Sequence, residues 1–359
     1  MIDVIVTGAG IAGASTAFAL KKRGLRVLVL EKASVCSGSS GAAGAFLSPK
    51  MSKPSPYKTY LNRALAYALN FYANHFPDLL YKNGLLKLPL DAEDIRRCKG
   101  YEPFIDFPWE KRGDAYFFPE AGLIPAKELC EALLQDIDVR ENVTVEKIVH
   151  DDEMWHVNDT YRAKHLILAT GDIQEPITLP SLKTKKIGGY RYDVTFHEDE
   201  KCTYNIHKEV SVSTYIEEHI IVGATHIRGD VDLQSAADAD QFELIRKAQE
   251  LFPMPSLKIL NSYTGYRRFS FNYFPFVGLV VDEEATLKKY PYIQTGAKVP
   301  MEKYIYRPNL YIHTALGSRG FVFAPWNAEM LADAICAQKS IQQQLLPALR
   351  FQKWARKMR

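Results

Sequence analysis

The sequence predicts an α/β protein: a parallel sheet built from separated pieces of chain, interrupted by a mostly antiparallel α+β lobe. Three observations carry that prediction. The first 31 residues read as strand, glycine turn, helix and strand. The segments AKHLILATG (163–171) and NLYIHTAL (309–316) return to the same apolar, strand-forming pattern far downstream, and the stretch from about 186 to 281 is strand-rich with one clear helix at 235–251. Residues 1–52, 124–178 and 303–359 are therefore assigned to the parallel-sheet domain, and 53–123 and 179–302 to the inserted lobe.

The elements follow in order. Residues 3–7 form a short β-branched strand, 11–23 carry the apolar period of a helix, and 26–31 form a second strand, which together make a βαβ unit. Between strand and helix, Gly8, Gly10 and Gly13 spell G-x-G-x-x-G. The first allows a tight turn, the second lets a pyrophosphate approach, and the third lets helix and strand pack closely. The helix N-terminus adds N–H donors and partial positive charge. Glu31 closes the second strand, where a carboxylate takes ribose hydroxyls and repels a 2′-phosphate, so a dinucleotide other than NADP is expected.

The run ASVCSGSSGAAGAFLSPKMSKPSP that comes next is too rich in small residues to be a packed element and too long for an ordinary connection, which marks a functional loop. Residues 57–83 read as an aromatic helix and 84–118 as short apolar runs with turn signals. Pro125 stands near the start of a helix that reaches about Gln135. Strands at 143–149 and 154–157 lead into AKHLILATG, and after the strand-rich lobe NLYIHTAL runs through GSRG into a terminal helix.

Composition narrows the function classes. With 47% hydrophobic and 24% charged residues among 359, the chain has an ordinary globular composition and length for two lobes. Its five cysteines, Cys36, Cys98, Cys130, Cys202 and Cys336, are scattered without a C-x-x-C pair, so neither a disulfide framework nor a zinc site is expected, and reduced thiols point to a cytoplasmic protein. His226 has no metal-ligand spacing around it and reads as a structural histidine. The first 20 residues lack the basic start of an export signal, so neither export nor a membrane span is expected. A net charge of +3 and a pI near 8.4 fall short of a dedicated nucleic-acid-binding domain.

The strand ending LILATG (Ala169, Thr170, Gly171) is similar to the segment with which flavoproteins of the glutathione-reductase-like superfamily contact the adenine side of FAD. That similarity makes FAD the expected cofactor; a second G-x-G-x-x-G is absent, so no nicotinamide nucleotide is expected to reduce it and the organic substrate is the expected electron source. Further stretches resemble the D-amino-acid oxidase family of FAD enzymes, which includes glycine and sarcosine oxidases, and within it the oxidase half of the MnmC family of bacterial tRNA-modifying enzymes. They are GSSGAAGAFLSP (38–49), YFFPEAGLIPAKEL (116–129), VGATHIRGDVD (222–232), GYRRFSFNYFPFVG (265–278), ALGSRGFVFAP (315–325) and WARKM (354–358), in order over nearly the whole chain.

The resemblance implies a glutathione-reductase-like Rossmann FAD-binding domain with an inserted, D-amino-acid oxidase-like substrate domain. It implies FAD contacts from Gly8, Ala9, Gly10, Ile11, Ala12 and Gly13, from Glu31 and Lys32, and from Ser39, Ser40 and Gly41 in the loop. Ile148, Thr170 and Gly171 belong to the adenine side, and Gly317, Ser318, Gly320, Phe321 and Val322 to the flavin. The implied reaction is oxidation of an N-substituted glycine: the carboxymethylaminomethyl group of a tRNA wobble uridine loses glyoxylate and leaves an aminomethyl group. Arg267 matches the family's carboxylate-binding arginine, whose planar fork suits a carboxylate better than an ammonium does. Arg319 falls between flavin and substrate, and these two arginines are the candidate catalytic residues. Arg268 reads as a surface residue, and Tyr263, Tyr266 and Tyr273 as candidate lining.

The tail RFQKWARKMR places Arg350, Lys353, Arg356, Lys357 and Arg359 beside Trp354, a candidate for phosphate binding and base stacking that Lys50, Lys53 and Lys58 would extend. The chain departs from MnmC by starting at the flavin-binding strand, where MnmC commonly carries a methyltransferase half, so a separate methyltransferase is the expected downstream partner. It departs also at Ser40-Gly41-Ala42, where the family has Ser-Gly-Asn, and at GGYRYD (188–193). Two other readings stay open: a small-molecule glycine or sarcosine-type oxidase, and a flavin-bearing subunit inactive alone.

Overall fold

A computed structural model of the chain describes residues 2–172, 176–196, 202–216 and 218–357. Strand β1 (Ile2–Thr7), helix α1 (Ile11–Lys21) and strand β2 (Val27–Leu30) form the expected βαβ unit. The other elements that position the site are α2 (Pro56–His75), β3 (Tyr161–Leu168), β4 (Thr184–Thr195), β5 (Lys258–Ser270), β6 (Phe276–Val281), β7 (Tyr306–Thr314), α3 (Gly320–Ala337) and α4 (Pro347–Ala355).

β1 is central in the first sheet because its apolar side chains leave it no solvent face: Val4, Ile5 and Val6 are fully buried. It pairs in parallel with β2 on one side and β3 on the other, β3 pairs in parallel with β7, and β6 closes that edge antiparallel. Helix α1 is buried nearly all round, as its run of small residues permits, and packs on α3 and on the helix Ala126–Leu134. Gly13 is required there, because a Cβ would overlap the carbonyl of Gly8.

The second sheet is built on the long antiparallel pair β4–β5, in register from Thr184↔Ser270 to Thr195↔Lys258 with a bulge at Asp193/Val194. It continues through Ile220–Gly223, Ser211–Val212 and Asn205–His207 to Leu85–Lys87 and Ala115–Phe118, and only the pair Asn205–His207 with Leu85–Lys87 among these runs parallel. The fold is thus α/β with an inserted, mostly antiparallel lobe.

Two stretches assigned by sequence to the inserted lobe pack on the other side. β6 pairs with β7, Phe276 opposite Thr314, so it extends the first sheet. Helix α2 buries Tyr60, Leu61, Ala64, Leu65 and Ala68 in the same core as α1 and α3. Ser55 caps α2 by accepting the Lys58 N–H at 3.1 Å, and the helix ends at His75 because Pro77 opens a 3₁₀ turn. α2 also repairs a defect in α3. Pro325 has no N–H for the carbonyl of Phe321, and Tyr72 donates its hydroxyl to that oxygen at 2.7 Å instead.

No disulfide joins any of the five cysteines, and four of them are buried. Among the described residues, no helix is long and apolar enough to cross a membrane, and no three acidic, histidine or cysteine side chains gather as metal ligands.

Candidate active site

The glycine turn after β1 is clasped by a carboxylate. Glu31 accepts the Ala9 N–H at 2.7 Å through Oε2 and the Ala33 N–H at 3.1 Å through Oε1. The loop 37–44 closes over the turn: Ser40 Oγ accepts the Ile11 N–H at 3.1 Å and would stand 2.9 Å from a Cβ on Gly10. Turn, loop and α3 N-terminus enclose one cavity of about 720 Å³, in the size range of small-molecule and cofactor sites. Glu31, Lys32, Val143, Ile148, Thr170 and Gly171 line it, as do Gly8, Gly10, Ile11, Ala12, Ser39 and Ser40, and Gly317, Ser318, Gly320, Phe321 and Val322. Of the residues expected to hold the dinucleotide, Ala9, Gly13 and Gly41 do not line it. Ala9 and Gly13 lie buried behind the turn, and the carbonyl of Gly41 turns to the second sheet, where Arg191 donates to it at 3.2 Å.

Arg267 reaches the same cavity from β5. Its slot is cut by a glycine on the neighbouring strand: Gly189 pairs with Gly265, and a Cβ on Gly189 would overlap the guanidinium of Arg267. Nη2 donates to the carbonyl of Thr225 at 2.6 Å, and Nη1 lies 3.4 Å from His226 Nε2. Among the described residues, no carboxylate pairs with it. Burial lowers the pKa of this guanidinium, which marks a cation held in place without its counter-charge. His226, read from sequence as structural, instead lines the cavity beside it, and burial, then the Arg267 charge, lowers the imidazole pKa. Adjacent Arg268 alternates to another partner and is no surface residue: half-buried, it pairs with Asp172 after β3 and so ties the two sheets together.

Arg319 sits at the turn before α3, with Nη1 donating to Ser48 O and Oγ, each at 3.0 Å. Around it gather cations for which the chain gives no local signal. Lys87, at the end of Leu85–Lys87, lines the cavity, and Lys50 lies close by because Met51 and Leu85 share one apolar cluster. Burial, with the charges of Arg319 and Lys87, lowers the pKa of Lys50; burial, with Arg319 among its charged neighbours, does the same to Lys87. His207, one strand away, hydrogen-bonds Ser211 at 2.7 Å and is pushed down to about 4 by burial and by Lys87, Arg319 and His226. These groups are neighbours only because strands 85–87 and 205–207, far apart in sequence, pair in parallel.

Other expectations resolve differently. Of the three tyrosines, Tyr266 lines the cavity and bonds Val231 through its hydroxyl; Tyr263 packs under Arg191 with its ring centroid 4.3 Å away, and Tyr273 projects to solvent. Lys58 is buried against Phe104 O and Asp106, outside any basic surface, whereas Lys53 is exposed. The tail is largely structural. Arg350 donates to Gln344 O at 2.8 Å, lies 5.5 Å from the Phe276 ring and has its pKa lowered to about 10 by burial; Trp354 packs against Phe351. Lys353 and Lys357 are exposed, Arg356 is half-buried, and Arg359 lies outside the described residues. α4 shares its cluster with Val281 and Tyr306, eight residues along β7 from cavity-lining Thr314, or roughly 26 Å at strand rise.

Comparison with known proteins agrees with this geometry. A family model described as FAD dependent oxidoreductase (DAO) matches residues 3–334. The chain is 29% identical to the tRNA 5-methylaminomethyl-2-thiouridine biosynthesis bifunctional protein MnmC of Campylobacter fetus, over 96% of this chain and 59% of that protein. It is 27% identical to the protein of the same description from Shewanella amazonensis, over 93% and 56%. The chain therefore spans less than two thirds of these relatives. Among solved structures, glycine oxidase from Bacillus cereus superposes with a TM-score of 0.75 at 17% identity, covering 96% of this chain and 97% of that one. Iminodiacetate oxidase from Chelativorans sp. BNC1 gives 0.75 at 16%, covering 96% and 98%. These two show a shared fold.

Proposed function

The chain belongs to the DAO family of FAD-dependent oxidoreductases, and from that premise we propose that it binds FAD and oxidises the carboxymethylaminomethyl group of a tRNA wobble uridine, releasing glyoxylate and leaving aminomethyluridine. The residues present fit the cofactor. The close approach at Gly10, the helix N-terminus behind it and the Glu31 carboxylate at the end of β2 suit a pyrophosphate and a ribose, and the N-terminal end of α3 offers backbone N–H groups at the other part of the cavity. Bound FAD supplies the acceptor for the hydride that leaves the carbon between the substrate nitrogen and carboxylate.

The chain's own residues then bind, orient and tune. Arg267 holds the substrate carboxylate through the N–H groups that Thr225 leaves open; an anion there relieves a buried charge, so the pair gains more than a surface ion pair would. Oxidation requires a neutral amine with its lone pair available. Arg267, Arg319 and Lys87 around the cavity disfavour a protonated amine, and His207, with its pKa near 4, adds no proton at neutral pH. The positive end of α3 at the cavity would stabilise the negative charge that the cofactor takes on when reduced. The methylaminomethyl group in the relatives' name lies one methyl transfer beyond this product, so a methyltransferase activity would act next.

The observation that carries the reading is Arg267, a half-buried guanidinium in the cavity of the dinucleotide turn with no carboxylate partner among the described residues. The surplus cations Lys50, Lys87 and Arg319 favour a nucleic acid over a free amino acid, whose one carboxylate Arg267 already satisfies. The test is flavin bleaching without oxygen. The holoenzyme is mixed with tRNA bearing the carboxymethylaminomethyl group, with unmodified tRNA, and with glycine or sarcosine. Bleaching by the modified tRNA alone is expected; bleaching by glycine or sarcosine but not by the tRNA would establish the small-molecule oxidase instead.

A further inference from the structure

The hairpin between β5 and β6 sends two aromatic rings out of the core. Phe271 is 66% and Tyr273 47% exposed, while Phe274 beside them is buried against Tyr57 and Tyr60. Two large rings exposed this close together form a candidate contact surface. The turn is rigid. Tyr273 N–H donates to Ser270 O at 3.2 Å, Ser270 Oγ donates to Phe274 O at 2.7 Å, and Tyr273 takes φ +66°, a conformation that side chains other than glycine rarely adopt. Lys185, on the neighbouring strand, sets its ammonium 4.7 Å from the Tyr273 centroid and 5.8 Å from that of Phe271.

The hairpin is fixed to the cavity. Phe269 bridges to Leu316, meets the Tyr273 ring edge-on at 6.1 Å, and fills the space where a Cβ on cavity-lining Gly317 would fall. Tyr57 spans 5.8 Å to Tyr273 and 6.3 Å to Phe323, in the first turn of α3. The rings thus stand at the rim of the site.

We infer that Phe271, Tyr273 and Lys185 form a stacking platform for an unpaired base of the RNA substrate, next to the nucleotide whose side group enters the cavity. This rests on the RNA reading above. Every base presents a π-face, so aromatic platforms accept bases with little sequence preference. The lysine lies over both rings and is placed for the phosphate of the stacked nucleotide. A protein partner fits less well: two rings offer about 300–500 Å² at most, against about 800 Å² per partner in a standard interface. Lys50, Lys87 and Arg319, in and beside the cavity and without a salt-bridged carboxylate among the described residues, add charge that suits a phosphate backbone.

The test measures binding and turnover separately. Holoenzyme is titrated with a fluorescent anticodon stem-loop lacking the modified side group, and flavin reduction is followed with modified tRNA and with the free 5-carboxymethylaminomethyluridine nucleoside. Phe271→Ala/Tyr273→Ala should weaken stem-loop binding by about tenfold per ring lost and raise KM for tRNA with kcat held, while reduction by the nucleoside is unchanged. Phe271→Trp/Tyr273→Trp, which keeps both faces, should restore binding. Unchanged stem-loop affinity in the alanine variant, equal loss with the nucleoside, or no rescue by tryptophan would each overturn the platform. A wild-type protein that binds the stem-loop through these rings, yet is not reduced by modified tRNA, would sink the proposed reaction and leave the platform standing.

Discussion

Gly189 and Arg267 share one space across two antiparallel strands: the guanidinium occupies the position a Cβ on Gly189 would take. Arg267 can therefore turn into the cavity, reach Thr225 O at 2.6 Å and stay clear of any carboxylate among the described residues. Gly189→Ala should displace the guanidinium and lower kcat/KM by about 100-fold, the scale of an ångström-sized misplacement, with flavin content and folding retained. Arg267→Ala should cost about 2–5 kcal/mol of transition-state binding. Equal kcat/KM for Gly189→Ala and wild type would show that the slot does not set the arginine's position.

Tyr72 stabilises α3 by replacing a backbone donor. Its hydroxyl is the partner of Phe321 O, the carbonyl opposite Pro325, and both groups are buried. Tyr72→Phe leaves that oxygen without a donor and should cost about 1–3 kcal/mol in urea unfolding of the apoprotein. Phe321 lines the cavity, so the same variant should also hold its flavin less tightly, read as faster cofactor loss on dilution.

The protein should lose stability as pH falls below neutrality. His313 is fully buried on β7; Thr16 Oγ1 donates to Ala12 O at 2.7 Å and meets His313 Nδ1 at 2.8 Å, so Nδ1 carries the hydrogen and Nε2 has no partner among the described residues. Burial pushes His313 down to about 3, and His207 lies near 4. Both are depressed below the ordinary value of about 6.5, so the unfolded chain binds protons that the folded chain refuses as pH drops from 6.5 toward 3. The stabilisation is fully present above pH 6.5 and declines below it. Thermal midpoints recorded from pH 7.5 to 4.5 should fall, and His313→Asn, which keeps a donor to Thr16, should flatten the slope; a wild-type midpoint independent of pH over that range would refute the assignment.

The basic tail is a structural element with two free lysines. Truncation at residue 350 removes Phe351 and Ala355, both fully buried, and should destabilise the fold rather than act on RNA alone; Phe351→Ala by itself should cost about 3–5 kcal/mol. Lys353→Glu/Lys357→Glu should leave both stability and tRNA turnover near wild type, because α4 packs at the end of β7 remote from the cavity. A large rise in KM for tRNA in that variant would return the tail to the RNA-binding surface.

These outcomes separate what local sequence encodes from what it does not. Gly8, Gly10, Gly13 and Glu31 were legible because turn, helix start and strand end lie within one βαβ unit and their roles follow from backbone geometry. Arg267 was legible only through resemblance, and its slot at Gly189 not at all, since 76 residues separate Gly189 from its pairing partner Gly265. Lys87 and His207 meet at a parallel strand pair that no periodicity announces. The charge pattern of the tail reads as a candidate for phosphate binding and base stacking, whereas Arg350 is drawn under the helix by Gln344 and the Phe276 ring, contacts that depend on tertiary packing.

The most direct measurement follows the products. Holoenzyme is incubated with tRNA bearing the carboxymethylaminomethyl wobble nucleoside, the digested nucleosides are weighed by mass spectrometry, and glyoxylate is assayed alongside. Conversion to the aminomethyl nucleoside with one glyoxylate per nucleoside converted is expected, with loss of both signals in Arg267→Ala. An unchanged nucleoside mass with an enzyme whose flavin is bound and reducible by another amine would contradict it.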